Sequence, residues 1–436
     1  SPRAYAMVPD SRWLSAIGRS FAVVVFTWSA AARAQERPTT LSVEGRSSDN
    51  VSIAASGNFV VVAWSAATTG VTDIYAAASR DGGVSFSPPA RVNGVAGQAR
   101  VDGEMPPRIA LIPRSNGEPE ITVIWTTAAG KTWRLLMARS TDGARSFGAT
   151  SAVPGTDGPG TRGWESVAVD PRGRVVVAWV DHREWEPGSA TAKSAKQPAS
   201  HATHEMSDSE EKAGLSTLLV TTLGANAPRE IARSVCYCCK TSLVAVGNDV
   251  HVVWRHVFPG NERDIAIATS RDGGQRFSAP ARVSNDRWKF DGCPDNGPTV
   301  AIDRQRRAHV FWVTPQEGGD VSQMVMYHAV SPDGRAFSPR QRITTKGLPG
   351  HAQVVTEPNG NLLLAWDEIG QGTRRVLVAR VAVDPNGATR LIPVPSPEEG
   401  EGHHPTIATT PGGTLMAWVR HPAKGAPSTI GVARVR

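Results

Sequence analysis

Val60-Val61-Val62-Ala63-Trp64, a short loop, a second apolar run ending at Ser79, and then Arg80-Asp81-Gly82-Gly83-Val84-Ser85-Phe86: this stretch decides the fold. It reads as a strand ending in tryptophan, a loop, a third strand and a tight turn. The same phrase recurs along the 436 residues. Trp64, Trp125, Trp179, Trp254, Trp312, Trp366 and Trp418 each end a β-branched, apolar run, 52–75 residues apart. Seven of the 13 tryptophans are explained by this one repeated position. Such runs suit strands buried on both faces. Short strands between turn signals, repeating every 50–60 residues with about four strands per unit, point to a β-propeller. First strands are expected near Val51, Arg108, Ser166, Ser242, Pro298, His351 and Pro405.

The expected fold is therefore all-β: a seven-bladed propeller of four-stranded antiparallel blades, with six blades as the alternative if one unit is degenerate. The last unit, 402–436, has three strands of its own. Thr39-Thr40-Leu41-Ser42-Val43-Glu44 is expected to supply the fourth and close the ring, which removes a bare sheet edge.

Outside the repeat lie two further segments. Residues 1–34 read as a secretory signal: Arg12 and Arg19, an apolar run from Phe21 to Trp28, and the small-residue site Ala32-Arg33-Ala34 before Gln35. The run is short for a permanent span. This predicts an exported protein, periplasmic or extracellular, folded as a single domain over 35–436. Residues 187–214, rich in Ala, Ser, Lys and Glu, are expected to be a disordered insertion. The net charge of +7 is scattered among acidic residues. It gives no reason to expect nucleic acid as a partner. A monomer taking a small-molecule or carbohydrate ligand is the expectation.

Four repeats carry Ser-x-Asp-Gly turns after the third strand. They are Ser79 to Phe86, Ser140 to Phe147, Ser270 to Phe277 and the shorter Ser331 to Phe337. In such a turn Asp caps nearby backbone N–H groups and Gly takes a positive φ. These segments resemble the Asp-box (BNR) repeat of the sialidase superfamily, and the resemblance covers most of residues 40–436. It implies the propeller, with the boxes on the face away from any active site. The enzymes of that family are also marked by Arg-Ile-Pro before the first box, three arginines for the substrate carboxylate, a Tyr–Glu pair and an Asp acid. Here the nearest match is Pro107-Arg108-Ile109-Ala110, which follows the first box. Tyr75 and Tyr327 sit in third strands and Tyr237 in a cysteine cluster. If the chain is an exo-α-sialidase-type hydrolase, Arg108, Arg255, Arg420, Asp181, Asp367 and Glu368 are the residues to carry it.

The loops leading into first strands and the loops after the repeat Trp share one face. All four cysteines and six of the 11 histidines fall there. This is the candidate ligand face, with Arg255, His256, His351, His404, His421 and Asp295 as candidate contacts. Cys236-Tyr237-Cys238-Cys239 and Cys293 occupy equivalent loops of the fourth and fifth units. The cluster resembles that of a Cys-rich branch of bacterial sialidase-like propellers. Three readings stay open: one or two structural disulfides, a copper or zinc site of four thiolates, or a reactive thiol.

Overall fold

The computed structural model describes residues 38–185, 207–225, 227–384, 388–398, 400–422 and 425–436. The signal segment, the expected start at Gln35 and most of the expected insertion lie outside the described residues.

Seven four-stranded antiparallel sheets make the fold. Blades 1–6 span 47–91, 108–152, 162–233, 242–282, 299–343 and 348–394. Blade 7 combines 402–434 with the strand Thr39–Leu41, which pairs with Thr429–Arg434 (Thr39 opposite Val432). Inner strands of neighbouring blades pack on one another all the way round, including blade 7 on blade 1, so the ring is closed. Among the described residues no helix is long and apolar enough to cross a membrane.

The repeated tryptophans hold the blades together. Trp125 is buried with Ile74 and Ala76 of blade 1, Trp254 with Val176 and Val220 of blade 3, and Trp64 with Leu415 and Ala417 of blade 7. Each blade thus inserts its Trp against the preceding blade, and each contact is its own apolar cluster. Removing one such ring would cost about 3–5 kcal/mol.

The Ser-x-Asp-Gly turns make one hydrogen-bond pattern four times. At the first, Ser79 Oγ donates to Asp81 Oδ1 at 2.7 Å and accepts from Gly83 N at 2.8 Å. Val84 N and Ser85 N donate to the same carboxylate at 3.0 Å each. Equivalent bonds gather at Asp142, Asp272 and Asp333. Bonds from Ser146 hold Asp142 at a pKa of about 2, against the pull of partial burial.

One part of the expected insertion is ordered. Residues Asp208–Gly214 form an α-helix, capped by Ser207, with Asp208, Glu210 and Glu211 in its first turn. Those charges suit the helix N-terminus. Ser209 Oγ accepts from Arg263 Nη2 (2.9 Å), and Glu210 Oε1 accepts from Asn261 N (3.1 Å), so blade 4 anchors the helix. Capping and docking outweigh a composition that suggested disorder.

Candidate functional site at the channel mouth

The register of the blades defines a ring of positions round the axis. Opposite the residue before each repeat Trp stand Ser52, Arg108, Ser166, Ser242, Thr299, Gln353 and Thr406. Two residues earlier in each blade come Asn50, Pro106, Trp164, Lys240, Gly297, His351 and His404. All of the first set except Ser166 help line a cavity of about 420 Å³ along the axis. Of the second set, Asn50, Pro106, Lys240, His351 and His404 meet at its mouth.

In blades 1, 3, 6 and 7 the inner strand bulges at this level. The bulged residue is left-handed each time: Asn50 (φ 52°), Trp164 (55°), His351 (48°) and His404 (49°). For residues other than glycine this costs on the order of 1 kcal/mol or more each. A bulge re-aims a side chain, and here it presents four side chains at one level. It also starts these strands up to four residues earlier than the sequence suggested.

His351 and His404 come from adjacent blades and lie with ring centroids 3.7 Å apart, tilted by 32°. Asp367 Oδ2 lies 2.8 Å from His351 Nδ1 and accepts from His404 N at 2.8 Å. Burial would raise the Asp367 pKa, but His351 and His404 hold it well below the usual range. Behind His404 runs a chain of rings: His403 Nδ1 is 2.6 Å from His404 Nδ1, and His403 Nε2 is 2.9 Å from His421 Nε2. His421 is exposed, so the chain links the mouth to solvent.

Four further charged residues meet beside them. Glu104 is buried and accepts through Oε2 from Lys240 N (2.9 Å) and Gly297 N (3.1 Å), while Oε1 has no partner among the described residues. Lys240 is buried and donates from Nζ to Ala352 O at 3.2 Å; burial lowers its pKa. Arg108 donates from Nε to Glu165 O (2.9 Å), and its Nη2 has no partner among the described residues. Glu165 is fully buried with both carboxyl oxygens unbonded, and burial pushes its pKa up to about 7. Glu104 and Lys240 were not singled out from the sequence. Aligning the seven inner strands on the repeat Trp would have placed Lys240 in the ring.

A row of rings leads outward from the mouth across the same face. Trp164 stands between Trp133 (5.6 Å) and His182 (5.2 Å). His182 stacks flat on Trp185 at 4.1 Å, and Trp185 meets Tyr237 at 5.7 Å. Trp133, Trp185 and Tyr237 are half-buried. Burial holds the His182 pKa at about 3, so that ring is neutral.

The other sequence candidates are dispersed. Arg255 is buried, and its guanidinium donates to the carbonyls of Arg263, Asn296 and Val313. Its role here is to tie blade 4 to blade 5. Arg420 bonds Glu398 and Thr40 at the blade 7 seam. Asp181 is buried between Arg162, Arg183 and the Trp179 indole. Glu368 alternates to the other face of its strand from Asp367 and accepts from Trp366 Nε1 at 3.2 Å. His256 packs against Phe258 and accepts from Trp254 Nε1. Asp295 stands at the exposed lip; partial desolvation of its carboxyl, then the charges of Glu104 and Asp102, push it up to about 6. Of the three arginines, Arg108 alone lines the cavity.

The cysteines do come together. They pair at disulfide-forming separations as Cys236–Cys239 (Cα–Cα 5.7 Å) and Cys238–Cys293 (6.1 Å). The second pair joins the loops of blades 4 and 5, and no cysteine among the described residues is left over.

No protein-family model matches the chain, and no curated protein matches it in sequence. Solved structures do. A polysaccharide lyase described as an ulvan lyase gives a TM-score of 0.53 at 9% identity, over 89% of this chain and 94% of that chain. The likeness is one of fold. A Penicillium chrysogenum α-L-arabinanase gives 0.48 at 12% identity, over 76% of this chain and 93% of that one. A Hadza microbial sialidase gives 0.45 at 13% identity, over 84% and 74%. Propeller structures similar to this chain thus include a sialidase and other glycoside hydrolases and lyases.

Proposed function

We propose that the chain is an exported, monomeric propeller that binds a carbohydrate across its Cys/His face. The observation that carries this reading is the aromatic row. Rings with one exposed edge offer apolar area with little conformational entropy to lose, and here they begin at a channel mouth rich in hydrogen-bonding groups. Sugar rings would lie along Trp133, Trp185 and Tyr237, with the buried Trp164 supporting the row from beneath. A polar or acidic end would enter the mouth, where Arg108 Nη2 and Lys240 can meet it. The paired cysteines support an oxidising compartment.

The sialidase-type hydrolase is the second reading, favoured by the resemblance of the Ser-x-Asp-Gly turns. It needs three arginines converging on one carboxylate, and Arg255 and Arg420 are committed elsewhere. The binding reading does not carry that requirement.

Calorimetric titration with a panel of neutral and acidic oligosaccharides tests it. One class should bind, and Trp185→Ala should weaken binding about fivefold, the worth of roughly 1 kcal/mol of ring contact. Binding unchanged in both Trp133→Ala and Trp185→Ala would sink the reading. Release of product from a fluorogenic sialoside, lost in Arg108→Ala, would favour the hydrolase.

A further inference from the structure

We propose that His351, His404 and Asp367 form a binding site for a divalent transition metal, zinc or copper(II), at the channel mouth. This goes beyond carbohydrate binding and stands or falls without it.

The donor geometry comes first. Each of the three residues can offer one ligand atom, and these atoms lie within 4.8 Å of one another. Donors held by one ion at 2.0–2.2 Å stand closer than that, so a small side-chain adjustment brings them in. Two imidazoles and a carboxylate suit zinc or copper(II) rather than calcium or magnesium.

The backbone makes a second, separate case. Two adjacent blades each hold a strained left-handed residue at the same ring position, and both are histidines. Their rings face each other with centroids 3.7 Å apart, tilted by 32°.

Space has been kept for the donors. A Cβ on Gly103 would lie 2.1 Å from His404 Nε2, so a glycine there leaves that nitrogen open. A Cβ on Gly350 would sit 3.2 Å from Asp367 Oδ1. Asp367 is itself fixed by His404 N and lies 3.8 Å from Arg374. The acidic side chains of Glu104 and Asp295 stand near the same mouth and offset the positive charge of Lys240 there. The paired cysteines, by contrast, have no thiolate to offer. That moves the metal site from the cysteines, where the sequence suggested it, to the histidines.

Three protein donors leave at least one coordination position open. An ion there could take a carboxylate or hydroxyl oxygen of a ligand entering from the aromatic row.

The test uses tag-free full-length protein, stripped with a chelator and titrated with zinc chloride and copper(II) chloride by calorimetry. Cobalt(II) serves as a visible-absorption probe. About one equivalent should bind at the three-donor site. His351→Asn/His404→Asn should weaken binding at least 100-fold, and Asp367→Asn by roughly 10–100-fold. Asparagine tolerates a positive φ and already occupies the blade 1 position as Asn50. Far-UV dichroism and a thermal melt of each variant establish that it folds. A metal-induced rise in melting temperature should appear in the parent and vanish in the folded double variant. Cys238→Ser/Cys293→Ser should still bind. Absence of a stoichiometric ion, or binding unchanged in the double variant, overturns the site. So does a cobalt spectrum of thiolate type that disappears in the cysteine variant. Oligosaccharide titration of the same samples separates failure of this site from failure of the carbohydrate reading.

Discussion

Glu165 enters the fold with both carboxyl oxygens buried and unbonded. The native state therefore favours the neutral acid, and the pKa rises from 4.5 to about 7. In the unfolded chain the same group ionises near its ordinary value. Between those two pH values the native state holds a proton that the unfolded state has lost, so stability falls as pH rises through the window. Glu165→Gln removes the titration while keeping the shape. Relative to the parent, the variant should gain roughly 1–3 kcal/mol on going from pH 4 to pH 8, read from urea unfolding at both. Parallel profiles would refute the argument. Neutral His182 acts in the opposite sense and cancels in the difference. Residues such as Glu104 and Lys240 were hard to see in the sequence because nothing about a single Glu or Lys announces burial. Their place follows from strand register. Arg255 shows the converse: its location on the right face was legible, but its donors go to three carbonyls, which no spacing foretells.

At the scale of elements, strands, turns and the repeat Trp were legible because each has a local cause. Continuous apolar, β-branched runs make the strand, and Ser, Asp and Gly make the turn. The bulges of blades 1, 3, 6 and 7 were not legible, since a bulge adds one residue to a pattern that still looks like a strand. The helix Asp208–Gly214 was missed for a different reason: its stability comes from Asn261 and Arg263, over fifty residues away. The cysteine loops give a prediction at this scale. Cys238–Cys293 closes a long loop between two blades, and Cys236–Cys239 closes a very short one. Loop-closure entropy makes the first worth about 4 kcal/mol and the second about 2. Urea unfolding of Cys238→Ala/Cys293→Ala and Cys236→Ala/Cys239→Ala should show that order. A larger loss from the short loop would contradict it. The denatured, unreduced parent should show none of the four thiols.

For the whole molecule, the ring depends on its seam. Three residue pairs join Thr39–Leu41 to blade 7. Ser48 N adds a bond to Ser428 O (2.9 Å), and Leu41 is buried in the cluster round Trp64. Deleting residues 38–46 should open that seam and lower the melting temperature by roughly 3–6 °C, equivalent to a few kcal/mol in a domain of this size. A truncated protein that melts with the parent would show the seam to be dispensable. The blade count was readable from the seven tryptophans because every interface uses one. The chemistry of the mouth was only partly readable, because it exists where seven distant segments converge.

The seam also sets the order in which the molecule can be made. Ser428 Oγ bonds Ser48 O across 380 residues of chain. During synthesis at about 5–20 residues per second, the first blade therefore waits on the order of 20–80 s for its closing partner. Through that interval the growing arc exposes the face of blade 1 that will later receive blade 7, with Val60, Val62 and Trp64 uncovered. A nascent chain with so long a wait is a client for holding factors, and its yield should depend on them more than its finished stability would suggest.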